Sequence, residues 1–255
     1  MSISLDQIKT LRDKTGVSIT ACKKALEEAG GDQDKALELL RKKGEAKAAS
    51  RQDRSTSEGV VAFSQSGDKT VLVKVLCETD FVAKNQDFID AANGLAALLL
   101  ERGVEADLSA EVAELSLKMG EKLVLANPTL VQGNVIGVYV HSNHKLGAAV
   151  ELEGASADLA KQVAMHVTAS NPSTMNPQDV PQDLVDKEYV IWNDEMQKSG
   201  KPKEIWDKIL TGKETKFRKG LALATQNFVI DPSVDVATFL KNNSAELKNF
   251  VNLGV

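Results

Sequence analysis

The sequence of 255 residues is long enough for two or three structural units, because single hydrophobic cores tend to split in this size range. Apolar residues make up 42% and charged residues 26%, which is ordinary for a globular protein and excludes a disordered one. The formal net charge of −5 provides no long-range attraction for phosphate backbones, so nucleic acid is not expected as a direct ligand.

The cysteine content and the N-terminus indicate a reducing compartment. Cys22 and Cys77 lie far apart and outside any CxxC spacing, which predicts neither a disulfide framework nor a zinc site. The N-terminus, MSISLDQIKTLRDK, lacks an apolar signal segment, and no run of about eighteen apolar residues occurs anywhere. We therefore expect a cytoplasmic protein that neither crosses a membrane nor is exported.

Residues 1–44 predict a compact unit of three short helices. Ser4 opens a capping-box pattern before the first helix, Ser18 can cap the second, and Asp32 can cap the third. A triple-helix unit of this size is similar to the ubiquitin-associated fold, a small binding module. The small and polar residues 45–57 have no apolar period, which predicts a linker.

Residues 58–133 and 134–178 repeat one order of elements. Each range begins with two β-rich runs around a polar turn, at Ser66–Asp68 in the first and His141–His144 in the second, and a helical pattern follows each hairpin. This self-similarity predicts an α+β core of two related hairpin-plus-helix halves with antiparallel sheets. Between the two hairpins we expect a helix broken at Gly120.

Residues 179–220 predict a helical-hairpin arm. Ser199–Lys201 joins its two helical patterns, and Pro202 fits the first turn of the second helix, where its missing N–H costs nothing. Because exposed apolar surface on such an arm needs a cover, either the core or a partner subunit in a homodimer is expected to supply it. Residues 221–255 are expected to return to the core, with no C-terminal module after them. The apolar positions of the arm are Tyr189, Trp192, Ile205, Trp206 and Ile209.

The sequence contains no motif for nucleotide, cofactor or nucleophile chemistry. GxxxxGK[ST], GxGxxG between strand and helix, GxSxG and HExxH are all missing, so no cofactor is expected. His141 and His144 flank a turn, but a zinc site needs at least three protein ligands, and no metal is predicted. His166 lies among apolar helix neighbours and is expected to be a hydrogen-bonded core histidine. An enzyme whose site is assembled from distant residues stays open as an alternative.

Several stretches together carry a family resemblance. In chain order they are TGVSITACKKALEEAGGDQDKALELLRKKG, CETDFVAKNQDF, AMHVTASNP and SGKPKEIWDKILTGK. The chain resembles bacterial translation elongation factor Ts in the family's order, from Leu5 to about Phe250. The segment from Thr79 to Lys84 is highly specific to that family. Without the resemblance, its Asp-Phe pair would be interpreted as a capping aspartate and a core phenylalanine.

The resemblance implies a guanine-nucleotide exchange factor for elongation factor Tu, without covalent chemistry of its own. In the family, the aspartate and phenylalanine of this motif reach into the nucleotide-binding domain of GDP-bound or nucleotide-free Tu. The ring wedges between helices and disturbs the magnesium and phosphate site, so that GDP leaves and GTP can rebind. The corresponding residues here are Asp80 and Phe81, flanked by Thr79 and Val82.

The resemblance also implies further partner contacts and some departures from the family pattern. Ile19, Thr20 and Ala21 stand where relatives often have two large apolar residues and an acid, and the arm matches a region that mediates dimerisation in some relatives. A helical adaptor that recruits another protein through its N-terminal domain, without exchange activity, is the alternative function. The further contacts are expected at Ile19, Cys22, Lys23, Met119, Gly120, His141, Phe228, Val229 and Ile230.

Overall fold

The computed structural model describes residues 3–49, 51 and 53–255. None of the helices in these ranges is long and apolar enough to span a bilayer. The described strands are β1 (Glu58–Ser66), β2 (Lys69–Cys77), β3 (Val124–Gln132), β4 (Val135–Val140), β5 (Leu146–Glu153) and β6 (Glu246–Gly254). The described α-helices are α1 (Leu5–Thr15), α2 (Ile19–Glu28), α3 (Gln33–Ala49), α4 (Asp80–Ala83), α5 (Gln86–Arg102), α6 (Ser109–Met119), α7 (Ala157–Ser170), α8 (Gln182–Lys198), α9 (Trp206–Leu221) and α10 (Val236–Asn242).

The N-terminal unit consists of α1, α2 and α3, as predicted. Ser4 and Gln7 form the capping box of α1, and Ser18 Oγ accepts a hydrogen bond from the Ala21 N–H at 3.3 Å at the start of α2. The apolar stripes of the three helices face one another and leave polar side chains outside. Their shared core contains Ile8, Leu11, Val17, Cys22, Ala25, Leu26, Ala36 and Leu40.

Helix α3 continues to Ala49 and so takes up the start of the segment predicted to be a linker. The sequence after Gly44 is EAKAA, which consists of strong helix formers. Gly44 lies inside the helix, and a Cβ there would lie 2.8 Å from Leu117 Cδ2 of α6. The glycine thus allows the N-terminal unit to pack closely on the core. Residues 50 and 52 of the predicted linker, and residues 1 and 2 of the predicted helical unit, lie outside the described residues.

Each half of the core forms a three-stranded antiparallel sheet. The strand orders are β1-β2-β3 and β4-β5-β6, so a hairpin supplies two strands of each sheet and a strand from farther along the chain pairs with the second of them. The hairpin of the first half reverses where Ser66 pairs with Lys69, which confirms the predicted turn. The hairpin of the second half reverses around the predicted polar turn after Val140. Two related halves with antiparallel sheets are therefore confirmed.

The two sheets pack face to face, with one helix on each outer face. Alternate residues of β1 and β2 point in opposite directions, so that Val61 and Leu72 face the second sheet, whereas Val60 and Val71 face α5. Helix α7 covers the second sheet in the same way. The core is thus a stack of four layers in the order helix, sheet, sheet, helix. The layer between the sheets is formed by Val61, Leu72, Val131, Ile136 and Ala149.

Helices α8 and α9 form the predicted arm. Trp192 is buried between them and meets Phe217 edge to face, with ring centroids 5.8 Å apart. Tyr189 donates a hydrogen bond to Glu214 at 3.1 Å. Ile205, predicted as one of the apolar positions of the arm, is 43% exposed because it lies in a short 3₁₀ turn before α9. The arm therefore has an apolar seam of its own, and a homodimer through it stays a prediction.

Candidate functional site

A short turn between β2 and α5 carries the aspartate and phenylalanine of the CETDFVAKNQDF stretch. Thr79 caps the single helical turn α4, because its Oγ1 accepts a hydrogen bond from the Val82 N–H at 3.4 Å. Asn85 then caps α5 by accepting a hydrogen bond from the Asp87 N–H at 2.9 Å. Two consecutive caps fix the backbone of residues 78–85, which we call the tip.

The helical turn of the tip directs Phe81 into solvent. Its side chain is 82% exposed, although it is a large apolar ring, whereas Val82 is half-buried and Ala83 is buried against the first half of the core. The core phenylalanine of this stretch is Phe88, which is fully buried in α5. The interpretation of Phe81 as a core residue is therefore wrong, because its ring is exposed to solvent.

Asp80 occupies the first turn of α4 with its carboxylate held by Lys84. The Lys84 Nζ lies 2.7 Å from Asp80 Oδ2, one helical turn later. This hydrogen bond lowers the pKa of Asp80, and the more distant charge of Lys145 acts in the same direction. The carboxylate is therefore ionised at neutral pH, and the tip carries a negative charge next to its exposed ring.

The base of the tip is bound to the loop that follows α6. Glu121 Oε2 accepts hydrogen bonds from the Glu78 N–H at 2.9 Å and the Thr79 N–H at 3.1 Å, and Glu121 Oε1 accepts one from Thr79 Oγ1 at 2.5 Å. In return, Glu78 Oε1 accepts a hydrogen bond from the Lys122 N–H at 2.6 Å. We call the reciprocal pair Glu78 and Glu121 the carboxylate clamp.

The clamp is also connected to the segment before β1. Arg54 Nη1 lies 3.1 Å from Glu78 Oε2, and the Arg54 C=O accepts a hydrogen bond from Lys122 Nζ at 3.0 Å. The backbone hydrogen bond from Lys122, together with the Arg54 guanidinium, lowers the pKa of Glu78. Glu78 is therefore ionised and bound on two sides, which ties three separate segments of the chain together at the tip.

Glu121 reaches the tip because α6 ends at a left-handed residue. Gly120 has a φ of 80°, a conformation that costs little only for glycine, and nothing lies within 4 Å of the position of its missing Cβ. Ser116 Oγ donates a hydrogen bond to the Glu121 C=O and fixes the loop after this turn. The predicted helix break at Gly120 is therefore a C-cap that turns Glu121 toward the tip.

Cys77 lies buried directly beneath the tip. Its thiol donates a hydrogen bond to the Thr79 C=O, with Sγ and O 3.3 Å apart. Burial raises the pKa of Cys77 to about 11, so the thiol is protonated at neutral pH. Cys77 thus supports the tip as a small packed side chain and is not a reactive nucleophile.

The family is decided by the chain's similarity to known proteins. Residues 78–255, which begin with the clamp residue Glu78 and include the tip, match the family model described as Elongation factor TS. The chain belongs to the elongation factor Ts family. Membership in this family places it among the elongation factors of protein biosynthesis.

Relatives in the family cover nearly the whole chain. The elongation factor Ts of Haemophilus influenzae is 41% identical over 259 residues, which are 99% of this chain and 91% of that protein. That of Alkalilimnicola ehrlichii is 40% identical over 271 residues, covering 100% and 92% respectively. That of Photorhabdus laumondii is 39% identical over 256 residues, covering 97% and 90%. The similarity therefore includes the N-terminal unit as well as the core.

The contact that the elongation factor Ts family implies for the N-terminal unit maps to α2. Ile19 is 54% exposed in the first turn, and Lys23, one turn later, is exposed and lies 3.8 Å from Glu27. Cys22 differs, because it is fully buried and its Sγ donates to the Val17 C=O at 3.6 Å. The Cys22 side chain therefore packs inside the unit, whereas those of Ile19 and Lys23 are exposed, and the partner contact at these three residues stays a prediction.

Helix α2 and Gly120 share one groove. Its volume is about 540 Å³, and it separates the N-terminal unit from the C-terminal end of α6. Met119 is half-buried against the core of the first half, so that Gly120 is the exposed member of the predicted Met119–Gly120 contact. Gly120 therefore lines this groove, whereas Ile19 and Lys23 of the predicted α2 contact do not. The groove is lined by Val17, Ser18, Ala21, Lys24, Leu40, Lys43, Arg51, Leu117, Lys118 and Gly120.

The turn between β4 and β5 lies near the base of the tip. His141 is exposed, whereas the His144 C=O accepts a hydrogen bond from the Val61 N–H at 2.6 Å and thereby joins this turn to β1. Lys145 forms an ion pair with Glu58, at the end of β1 that adjoins the tip. The predicted His141 contact and the tip therefore lie on the same side of the protein. In the ranges that the structure describes, no three His, Cys, Asp or Glu residues are grouped to hold a metal ion.

The predicted contact at residues 228–230 is split between core and surface. Phe228 is fully buried and stacks on Phe239, with ring centroids 4.1 Å apart, so its side chain belongs to the core, and the partner contact of the segment stays a prediction. Val229 and Ile230 are 44% and 50% exposed. Phe228 thus anchors the segment, and the two residues after it remain available at the surface.

His166 holds the same segment from α7. The Val229 N–H donates a hydrogen bond to His166 Nδ1 at 3.2 Å, so the proton is on Nε2, which lies 3.1 Å from Gln226 Oε1. Burial lowers the pKa of His166, because the charged imidazolium would lose its hydration. The prediction of a hydrogen-bonded core histidine is confirmed.

Proposed function

We propose that this member of the elongation factor Ts family is a guanine-nucleotide exchange factor for elongation factor Tu. It binds Tu in the GDP-bound and nucleotide-free states, inserts the tip and disturbs the magnesium and phosphate site, so that GDP leaves and GTP rebinds. The single observation that supports this proposal is the 82% exposure of Phe81 on a turn held by two caps and the carboxylate clamp. The factor acts in the cytoplasm and performs no covalent chemistry of its own.

The rigidity of the tip matters because exchange is a coupling between two ligands of Tu. The factor by which this protein lowers the affinity of Tu for GDP equals the factor by which GDP lowers the affinity of Tu for this protein. An acceleration of nucleotide release by about 10⁴ requires roughly 5.5 kcal/mol, at 1.36 kcal/mol per decade. Burial of one phenylalanine supplies roughly 1.5 to 3 kcal/mol. The ring of Phe81 therefore needs other contacts to hold the tip in place on Tu.

Exposed side chains outside the tip are suited to supply those contacts. Ile19 and Lys23 present an apolar and a basic side chain from α2, and the groove that Gly120 lines adds a concave surface beside the same helix. His141 adds an exposed imidazole near the base of the tip. We assign binding energy to these surfaces and the disturbance of the nucleotide site to Asp80 and Phe81.

Release of labelled GDP from Tu tests the proposal directly. Catalytic amounts of this protein are expected to accelerate release in a stopped-flow experiment. Phe81→Ala is expected to slow the accelerated release about ten- to a hundredfold, since it removes roughly 1.5 to 3 kcal/mol of contact energy. Its thermal midpoint should equal that of the wild type, because the ring touches solvent in the free protein.

A matched control is available on the arm. Val190 is 72% exposed, similar to Phe81, so Val190→Ala removes an exposed apolar side chain away from the tip. It is expected to leave GDP release unchanged. Equal rates for Phe81→Ala and the wild type would refute the wedge role of the tip.

The adaptor alternative makes a different prediction. If the N-terminal unit alone recruits another protein, a fragment of residues 2–44 should capture that partner, and the full chain should leave GDP release from Tu unaffected. Acceleration of GDP release by the full chain, together with its loss in Phe81→Ala, would exclude a pure adaptor.

A further inference from the structure

Two backbone N–H groups at the base of the tip depend on the carboxylate clamp for a hydrogen-bond acceptor. The N–H groups of Glu78 and Thr79 follow the last residue of β2 and precede α4, so neither the strand ladder nor the helix supplies them with an acceptor. Both donate instead to Glu121 Oε2, at 2.9 and 3.1 Å. The connection between strand and tip is therefore fixed by one side chain from a distant loop.

We propose that Glu121 is a positioning residue for nucleotide exchange, which holds the tip in the orientation that reaches the partner. This inference rests on the exchange function proposed above. Glu121 touches neither Asp80 nor Phe81 through any hydrogen bond and acts through the backbone of Glu78 and Thr79. Since misplacement of a reacting group by about 1 Å can cost about a hundredfold in rate, a loosened tip should bind but work poorly.

The chemistry of a carboxylate suits this role better than that of its neutral isostere. An ionised acceptor makes hydrogen bonds roughly twice as strong as a neutral one, and both oxygens of Glu121 accept. Glutamine would keep one acceptor oxygen for the two N–H groups, but its NH₂ group would face Thr79 Oγ1, and the Thr79 O–H would lose its acceptor. Alanine would leave both backbone donors without a partner. The expected order of tip rigidity is wild type, Glu121→Gln, Glu121→Ala.

The second carboxylate makes the clamp reciprocal. Glu78 Oε1 accepts the Lys122 N–H at 2.6 Å, so each acid binds the backbone next to the other. The left-handed turn at Gly120 and the hydrogen bond from Ser116 Oγ place Glu121 for this exchange of contacts. The helix break that the family resemblance assigned to partner binding thus also has a role inside the free protein.

Amide hydrogen exchange in the full chain measures the rigidity of the tip without any partner. Glu121→Ala is expected to lower the protection of the Glu78 and Thr79 amides at least about tenfold, because their acceptor is gone. The Ile89 amide, which donates within α5 to the Asn85 C=O at 3.0 Å, should keep its protection. Glu121→Gln should lower protection of the two tip amides less than alanine does.

The rate of GDP release from Tu measures how a loosened tip affects nucleotide exchange. For Glu121→Ala we expect the maximal rate constant of GDP release to fall about ten- to a hundredfold. The concentration of factor that gives half the maximal rate should change less than threefold, because α2, the groove and His141 are unaltered. Partial recovery in Glu121→Gln should follow the recovery of amide protection.

Glu214→Ala provides the matched control. Glu214 is a half-buried carboxylate with two side-chain partners, Arg218 at 2.7 Å and Tyr189 at 3.1 Å, but it lies in the arm. Its loss should leave both the tip amides and the maximal rate constant unchanged. If Glu121→Ala fails to fold, Glu121→Gln carries the test with the same two measurements.

The outcomes separate this inference from the proposed function. Unchanged protection of the Glu78 and Thr79 amides in the Glu121 variants would overturn the positioning role, whatever Phe81→Ala does. The positioning role would also be overturned if the Glu121 variants lost amide protection but kept the maximal rate constant of the wild type, while Phe81→Ala slowed GDP release. If Phe81→Ala leaves GDP release unchanged, the exchange mechanism fails, and with it the functional role of Glu121, even where the amides show a loosened tip.

Discussion

The two halves of the core follow one plan, but they differ after the second strand of each hairpin. In the second half, β5 is followed by residues 154–156 alone, and Ser156 caps α7 by accepting the Leu159 N–H at 3.2 Å. In the first half, the corresponding connection is the tip, residues 78–85, with its own turn of helix and the exposed ring of Phe81. Since the fold needs only a short turn here, the tip is an addition to the fold and not a requirement of it.

The insertions before the third strand of each sheet show a second difference. In the first half, α6 comes before β3 and ends at Gly120, from which Glu121 returns to hold the tip. In the second half, the arm and α10 come before β6, and α8 and α9 pack mainly on each other. The insertion of the first half therefore stabilises the tip, which has no counterpart in the second half.

The largest effect on stability is expected in the second half, where α7 lies against β4. A Cβ at Gly137 would come within 2.1 Å of the Ala160 carbonyl carbon, far below van der Waals contact. Gly137→Ala should therefore force α7 away from the sheet. We expect a loss of about 3 kcal/mol of unfolding free energy, at the upper end for overpacking, measured by denaturant titration.

A second glycine provides the control for this prediction. Gly212 lies exposed inside α9 with nothing within 4 Å of its Cβ position. Gly212→Ala should raise the unfolding free energy by about 0.5 to 1 kcal/mol, because alanine has the higher helix propensity. An unfolding midpoint of Gly137→Ala equal to that of the wild type would show that α7 leaves room for a Cβ at Gly137, contrary to the 2.1 Å approach.

A smaller effect is expected from pH, and it also belongs to the second half. The pKa of His166 is lowered by burial, so the unfolded chain binds more protons near pH 6 than the folded one. Stability is complete above the unfolded pKa of about 6.5 and falls as the pH drops toward the lowered folded value. The slope of the unfolding free energy should reach at most about 1.4 kcal/mol per pH unit.

Denaturant titrations between pH 7.5 and 5.0 check this sign, since carboxylates with unfolded pKa values near 4 contribute little there. His141→Gln, which removes an exposed imidazole, should keep the decrease. His166→Gln should be less stable at pH 7.5, because the Val229 N–H loses its acceptor, but the decrease toward pH 5.0 should be gone. A decrease of the same size in His166→Gln would contradict the assignment to this residue.

The elements that the sequence predicted well are those with strong local signals. The caps at Ser4, Ser18 and Asp32, and the two hairpins with their alternating apolar residues, are all present. Strand β3 was missed because its pattern is interrupted: Asn127 has a φ of 52° and Pro128 has no N–H to donate. Such a strand fits only at a sheet edge, which is where it lies, and edge strands alternate weakly in burial.

The residues of the candidate site likewise differ in how well a local sequence signal predicts them. Asp80 and Phe81 were predicted because the motif is contiguous and specific to its family. Cys22 and Phe228 belong to contiguous motifs too, but their side chains lie in the core. A motif marks a segment and does not show which of its side chains face outward. The carboxylate clamp joins residues 43 positions apart, and no local pattern marks either acid. Only the fold brings them together.

The smallest expected effect concerns the ion pair of Lys84 and Asp80 in the tip. The short connection between β5 and α7 in the second half has no equivalent of this pair. Lys84 holds the Asp80 carboxylate at 2.7 Å and lowers its pKa. Lys84→Gln should let that pKa rise toward its ordinary value of 3.8, which a carboxyl NMR titration follows. GDP release from Tu should slow about twofold, since the charge next to Phe81 loses its orientation.

Lys198 forms an equivalent pair with Asp194 in the arm, at 2.6 Å and with the same spacing in the helix. Lys198→Gln removes a charge of similar exposure without touching the tip, and its rate of GDP release should equal that of the wild type. Since both pairs are exposed, neither substitution should move the thermal midpoint measurably. Equal slowing by both variants would mean that net charge, and not the orientation of Asp80, governs the rate, and the tip would then act through its ring alone.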